Sequence, residues 1–224
     1  MINFKNNSKL KVLIPLRGGS KGIKKKNLKY FNGKPLFTWV TNSALETNLE
    51  VFISTEDEEI KENIKLFCPL AKIIDRPKEL ATDDSSTEEV ISHFIKSLDC
   101  DHIVLLQATS PLTKSSDISL SIDKYFSNNC KPLVSGTRQH IFIWNNDGYS
   151  INYDPSKRPR RQEWEGTFIE NGAIYIFKVQ DFKLHGTRCK APCTLFEMSQ
   201  TNAIELDNNY DWIALENIIE TKDK

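Results

Sequence analysis

The sequence predicts an α/β fold built on a mainly parallel sheet, and two observations carry that prediction. Short, continuously apolar runs such as Leu10–Leu16 (LKVLIPL) and His102–Leu106 (HIVLL) read as strands buried on both faces. Longer amphipathic runs separate them, and strands alternating with helices imply βαβ units.

In chain order, Leu10–Leu16 is the first strand and runs into a Gly/Lys loop. Pro35–Leu45 starts a helix with Pro35 in its first turn, where the missing N–H does no harm. Val51–Thr55 is a strand, Asp57–Phe67 a charged helix and Ala71–Ile74 a weaker strand. Ser86-Thr87-Glu88-Glu89 has capping-box spacing, and Val90, Ile91, Phe94, Ile95 and Leu98 follow at helical period. His102–Leu106 is the cleanest strand, and Ser115–Phe126 is helical. The alternation stops near residue 131. Lys131–Gly136, Ile141–Trp144 and Ser150–Tyr153 are short strand candidates with no helix between them. A basic loop follows, then Gly172–Phe177 as a strand, Leu195–Met198 as a weak strand and Asp211–Ile219 as the last helix. The whole chain, 1–224, is expected to form one domain, with a β-rich excursion at about 137–170.

Composition narrows the function. Among 224 residues, 30 Lys and Arg balance 30 Asp and Glu, which argues against a general nucleic-acid binder. A domain of this length buries roughly 70% of its unfolded surface and needs no disulfide staples. No stretch approaches the roughly 20 apolar residues of a membrane span. Met1–Lys9 lacks the apolar core of a signal peptide. The five cysteines are odd in number and scattered, as expected of reduced thiols in cytoplasm.

Ligands of open α/β sheets bind beyond the carboxyl ends of strands, so the loops there come first. After the first strand come Arg17, Gly18, Gly19, Ser20, Lys21 and Gly22, then Lys24 to Asn27. Three glycines allow close backbone approach and the cations add charge, so this loop can hold a polyphosphate. Its spacing is neither the P-loop nor G-x-G-x-x-G. The loop from Asp75 to Thr87 carries Arg76 and ends in hydroxyls at a helix N-terminus, which favours anions. One of Ser85, Ser86 and Thr87 is expected to cap that helix. Gln107 opens the third loop, where an amide can read a base or a sugar hydroxyl; alone, the loop is an ordinary proline turn. The run Lys157 to Trp164 reads by itself as solvated charge. Glu205 and Asp207 share one face of an extended segment and can hold Mg²⁺ against a phosphate. The histidines and cysteines have no zinc-ligand spacing, and no nucleophile elbow occurs.

Together these segments are more specific than any one of them. From about Lys11 to Glu216 the chain resembles the N-acylneuraminate cytidylyltransferases, or CMP-sialic acid synthetases. Ile14 to Ile23 with Lys26-Asn27 looks like their nucleotide-binding signature, with Leu16 where the family usually has Ala. Arg76-Pro77, the stretch Leu105 to Leu112, and Arg158 to Trp164 followed by Glu170-Asn171-Gly172 match further blocks in order. The family's metal motif is D-x-D; here Glu205 takes the first position and only Asp207 matches.

The resemblance implies a three-layer fold, with helices on both faces of a mainly parallel mixed sheet. It also implies a homodimer whose β-rich excursion crosses to the partner and completes a shared active site. The implied reaction joins CTP to a nine-carbon 2-keto sugar acid, giving CMP-sugar and pyrophosphate without a covalent enzyme intermediate. Arg17, Lys21, Arg160 and Arg161 are implied as catalytic. Arg17, Gly18, Ser20, Lys21, Lys26, Asn27, Arg76, Ser85 and Thr87 are implied to bind nucleotide. Gln107, Arg160, Arg161, Gln162 and Asn171 are implied to bind sugar, and Glu205 and Asp207 to hold Mg²⁺ or Mn²⁺. Neither nucleic acid nor membrane is an expected partner. The alternatives are CMP-legionaminate or CMP-pseudaminate synthesis, or, in another class, a non-catalytic nucleotide-binding module. The Arg158 to Gln162 run argues against the octulosonate enzymes.

Overall fold

The computed structural model describes residues 9–20 and 22–222, the side chains of 220–222 excepted. Its first half follows the βα alternation closely. Strand β1 (Leu10–Pro15) leads through a hairpin, β2 (Tyr30–Phe31) and β3 (Lys34–Pro35), to helix α1 (Phe37–Leu45). Strand β4 (Glu50–Thr55), helix α2 (Glu58–Phe67), strand β5 (Lys72–Asp75), helix α3 (Thr87–Ser97), strand β6 (His102–Leu106) and helix α4 (Ser115–Ser127) follow. Asp57 caps α2 by accepting from the Ile60 N–H, and Ser86 with Glu89 forms the expected capping box on α3.

Pro35 is not in a helix. It pairs with Tyr30 across the hairpin, and α1 starts two residues later. The reason is the turn at Asn32-Gly33, both with positive φ, which are the residues a tight hairpin favours.

Seven strands form one sheet in the order β5-β4-β1-β6-β8-β7-β9, where β7 is Leu133–Gln139, β8 Thr167–Lys178 and β9 Thr194–Glu197. Only β8 runs against the rest, antiparallel to both β6 and β7. Alternate residues supply the two faces. Val12, Ile14, Ile53, Val104 and Ile176 pack with α1, α2 and α4. Leu13, Phe52, Ile103, Leu105 and Phe177 pack with α3 and with α5 (Val179–His185), a short helix that ends at a left-handed Gly186. The fold is therefore the expected three-layer α/β arrangement. The last helix, α6 (Asn209–Lys222), packs Trp212 and Leu215 with Phe31 of the hairpin and with Leu206.

Past residue 139 the expected strands at Ile141–Trp144 and Ser150–Tyr153 are absent. One bridge, Trp144 to Ser150, remains. It is flanked by two backbone bonds, Ile151 N–H to the Ile143 carbonyl and Asn145 N–H to the Tyr149 carbonyl, and Asn152 extends them by accepting from the Ile143 N–H and donating to the Ile141 carbonyl. Aromatic contacts add to this, with Phe142 stacked on Trp164 at 5.2 Å and Arg158 lying 4.0 Å from the Phe142 ring. Strand β8 is longer than the sequence predicts. A bulge opposite Val134–Gly136 takes up Asn171 and Gly172, the latter at φ +69°.

Candidate active site

The main cleft lies where the chain changes direction across the sheet. β1 pairs with β4 on one side and β6 on the other, and the crossover helices α1 and α3 cover opposite faces. Loops beyond the carboxyl ends of β1 and β6 must therefore part, leaving a crevice. Its volume is ≈ 410 Å³. The first loop lines it with Arg17, Ser20, Gly22, Lys26 and Asn27. The second supplies Arg76, then Thr82 and Asp83, and Ser85 to Thr87 at the start of α3. Gln107 to Thr109 come from the third, and Asp207 from the segment before α6.

Two buried polar side chains hold these loops from behind. The Asn27 amide donates to the Arg17 carbonyl at 3.0 Å. The Arg76 guanidinium donates to the carbonyls of Leu16 and Ser54, and stands 3.7 Å from Glu56. It thus ties the ends of β1 and β4 to its own strand. Burial lowers its pKa and the Glu56 carboxylate opposes that, which a charged group needs in such a place.

Around the rim, cations face both acidic and carbonyl oxygens. Arg17 donates to the Thr82 carbonyl and to Asp83, both at 3.0 Å, joining the first two loops. Lys26 donates to the Leu206 carbonyl at 2.9 Å and lies 3.6 Å from Asp207. Glycines serve packing here. The Gly18 N–H donates to Glu56 at 2.7 Å, and a Cβ at Gly18 would lie 2.0 Å from the Asp57 carboxylate. A Cβ on Gly22 would meet the Asp207 carbonyl at 2.8 Å. Ser85 hydrogen-bonds inside its own loop, donating to the Glu79 carbonyl, while Ser86 does the capping and leaves Thr87 at the first helical position.

A second cavity of ≈ 390 Å³ adjoins the first, sharing Gln107 and Thr109 with it. Glu205 lines this one, not the cleft that holds Asp207. The segment between them is extended, since Leu206 turns into the core and its N–H donates to the Thr109 carbonyl at 2.7 Å. Glu205 accepts from the Thr109 hydroxyl at 3.1 Å. Burial, and then the charge of Asp207, raise its carboxyl above the usual carboxylate range, while the Thr109 bond opposes them. Glu170, Gly172, Tyr175 and Arg188 complete the wall.

The family model described as Cytidylyltransferase matches residues 11–218. The chain belongs to the cytidylyltransferase family. N-acylneuraminate cytidylyltransferase B of Danio rerio is 34% identical over 213 residues, covering 91% of this chain and 50% of the relative. Pseudaminic acid cytidylyltransferase of Campylobacter jejuni is 31% identical over 177 residues, covering 73% and 76%. The chain spans about half the length of the N-acylneuraminate relatives it matches. In fold it is similar to a CMP:2-keto-3-deoxy-manno-octonic acid synthetase complexed with CTP. The TM-score is 0.71 at 16% identity, over 96% of this chain and 99% of that one.

Several residues that the sequence pointed to stand apart from the cleft and the cavity beside it. Arg160, Arg161 and Gln162 are exposed on the segment between β7 and β8 and line neither. Asn171 is buried by the bulge, where its amide accepts from Ser135 at 2.6 Å and donates toward the Met198 sulfur. Gly18 backs the cleft without lining it, and Lys21 lies outside the described residues. Sequence reasoning missed Arg188 and Tyr175. Tyr175 sits in a strand run whose apolar pattern masks a hydroxyl, and Arg188 is a lone cation after α5 with no motif around it. Among the described residues no three His, Cys, Asp or Glu side chains are grouped to hold a metal ion. All five cysteines are free, and burial pushes the Cys189 thiol up to about 12.

Proposed function

We propose that this protein transfers the cytidylyl group of CTP to a nine-carbon 2-keto sugar acid, releasing pyrophosphate, with CMP-N-acylneuraminate as the product. The observation that carries the reading is the joined pair of cavities. The cleft offers Arg17, Lys26 and the first-loop amides to a triphosphate, and Gln107 and Thr109 stand where it opens into a second, polar cavity able to take a sugar. The names of the relatives support the same substrates.

In this reaction the anomeric hydroxyl oxygen of the sugar attacks the α-phosphorus. The P–O bond to the β-phosphate breaks, pyrophosphate leaves, and the hydroxyl proton passes to solvent. No covalent intermediate is needed, so the chain's contribution is positioning and charge neutralisation. Arg17, Lys21, Ser20 and the loop amides hold the triphosphate. Asn27, Arg76 and Gly18 keep that loop in shape. Ser85 and Thr87 lie toward the base and ribose, and Gln107 orients the sugar. Glu205 and Asp207 suit a divalent cation: burial and the charge of Asp207 disfavour the Glu205 carboxylate, and Asp207 is 68% exposed beside the cleft. Mg²⁺ or Mn²⁺ held there would neutralise phosphate charge.

A homodimer belongs to the same proposal. Arg160, Arg161 and Gln162 line neither of the two cavities described above, and exposed Trp144, Tyr149 and Ile151 lie on the same segment. We read this excursion as reaching the partner's site, where a guanidinium suits the sugar carboxylate. A cytoplasmic location is also proposed, supported by the five free cysteines. The decisive experiment is incubation with CTP, Mg²⁺ and a panel of nonulosonic acids. Pyrophosphate release with N-acylneuraminate is the expected result. Release only with legionaminate or pseudaminate would reassign the sugar, and none with any acid would end the reading.

A further inference from the structure

The wall of the second cavity carries a chain of charged and polar groups that the reaction as described does not use. Glu88 sits in the first turn of α3, next to the cleft-lining Ser86 and Thr87. Its carboxylate accepts from Arg188 at 2.5 Å. The Arg188 guanidinium lies 4.5 Å from the centre of the Tyr175 ring, and the Tyr175 hydroxyl donates to Glu170 at 2.5 Å. Burial lowers the Arg188 pKa, but Glu88 and Tyr175 outweigh it and hold the charge. The side chain keeps 21% of its surface exposed and lines the cavity.

We propose that Arg188 is a specificity-determining residue that recognises a hydroxyl on the neutral tail of the sugar acid. The inference rests on reading the second cavity as the sugar side of the site. Its argument is charge and donor balance. Among the described residues Arg188 is the one cation lining this cavity, with Glu170 and Glu205 on the same wall and Glu88 paired to it. Carboxylates outnumber it, so the acid's own carboxylate is disfavoured there. A hydroxyl is favoured, because it accepts from the guanidinium and donates to a carboxylate at once. Replacing that hydroxyl by hydrogen leaves the cavity side of the guanidinium, whose other side Glu88 holds, without an acceptor, an arrangement that discriminates strongly. Gly172 keeps the opposite side open, since a Cβ there would sit 3.2 Å from both Glu205 oxygens.

The test uses the full chain with saturating CTP, the acid that it turns over best, and the 7-, 8- and 9-deoxy analogues of that acid. Pyrophosphate release yields kcat/KM for each with the unaltered protein, Arg188→Leu and Arg188→Gln, the second being the milder change if the first fails to fold. We expect the unaltered protein to disfavour at least one analogue by about tenfold or more. That ratio should fall to within about twofold of one in the variants, with KM for CTP unchanged. If Arg188 only clips the segment after α5 to α3, all four acids lose activity alike, and this uniform loss overturns the proposal. Equal use of all four acids by the unaltered protein overturns it too. Calorimetry separates the deeper failure: CTP binding without pyrophosphate from any acid rejects the sugar-acid reading and this inference with it.

Discussion

The sheet has two halves built on different terms. From β1 to β6 the strands of the large sheet all run parallel, and the crossover helices between them cover its two faces. From β7 to β9 the direction changes, with β8 antiparallel to its neighbours, and no α-helix joins β7 to β8: Leu133 stands opposite Ile176 and Thr194. The first half carries the cleft and was readable from apolar periodicity. In the second half β8 runs longer than its apolar core, a bulge turns Asn171 inward, and Asn152 props a single bridge where the sequence predicts two strands. Local pattern reports burial; it does not report which far strand supplies the partner.

If the cleft half is held by its buried brace, the largest effect belongs to Arg76. Its side chain is 4% exposed and its removal leaves Glu56 without its cation. Arg76→Ala should lower the unfolding free energy by about 3 kcal/mol in urea titrations. Unchanged stability with a raised KM for CTP would make Arg76 a ligand first and a brace second.

Next comes the acidic pair that the two cavities divide. Asp207→Asn should reduce kcat/KM about a hundredfold, roughly 2.7 kcal/mol, and Glu205→Gln about tenfold. Steady-state kinetics across an Mg²⁺ titration would show both losses. Full activity of Asp207→Asn, or of the unaltered protein in chelator, would remove the metal role.

Arg17→Ala should cost about tenfold in kcat/KM, roughly 1.4 kcal/mol. The unaltered arginine already engages Asp83, so part of its gain on binding a triphosphate is offset by breaking that pair. A folded variant with unchanged kinetics would take Arg17 out of the site.

The smallest signal tests the other half of the comparison. Mixing an Arg160→Ala/Arg161→Ala variant with Asp207→Asn should restore activity if the excursion serves the neighbouring subunit. Random exchange makes about half the dimers mixed with one intact site each, so recovery is about a quarter of normal activity. No recovery after subunit exchange, verified by mass spectrometry of intact dimers, would leave each subunit self-contained.

Some of the site was legible because its signals are local. Arg17, Ser20, Lys26, Gln107 and Asp207 line the cleft because each sits where a strand or an extended segment ends, and strand ends are visible as apolar runs stopping. Glu205 is the instructive departure. The two-residue spacing does put it on the same side as Asp207, with Leu206 turned inward between them. Thr109 and the neighbouring cavity claim it all the same.

By itself the sequence determined the layered α/β class, the order of the first eight large elements, the capping box at Ser86 and the loops that meet in the cleft. These follow from periodicity and from residue types with narrow backbone preferences, which act within a few residues. Tertiary structure alone decided the reversed direction of β8, the burial of Arg76 and Asn171, and the meeting of Glu88, Arg188, Tyr175 and Glu170 around a second cavity. The physical reason is separation along the chain: Glu88 and Arg188 are 100 residues apart, and only the packing of α3 and α5 on one face of the sheet brings their charges together.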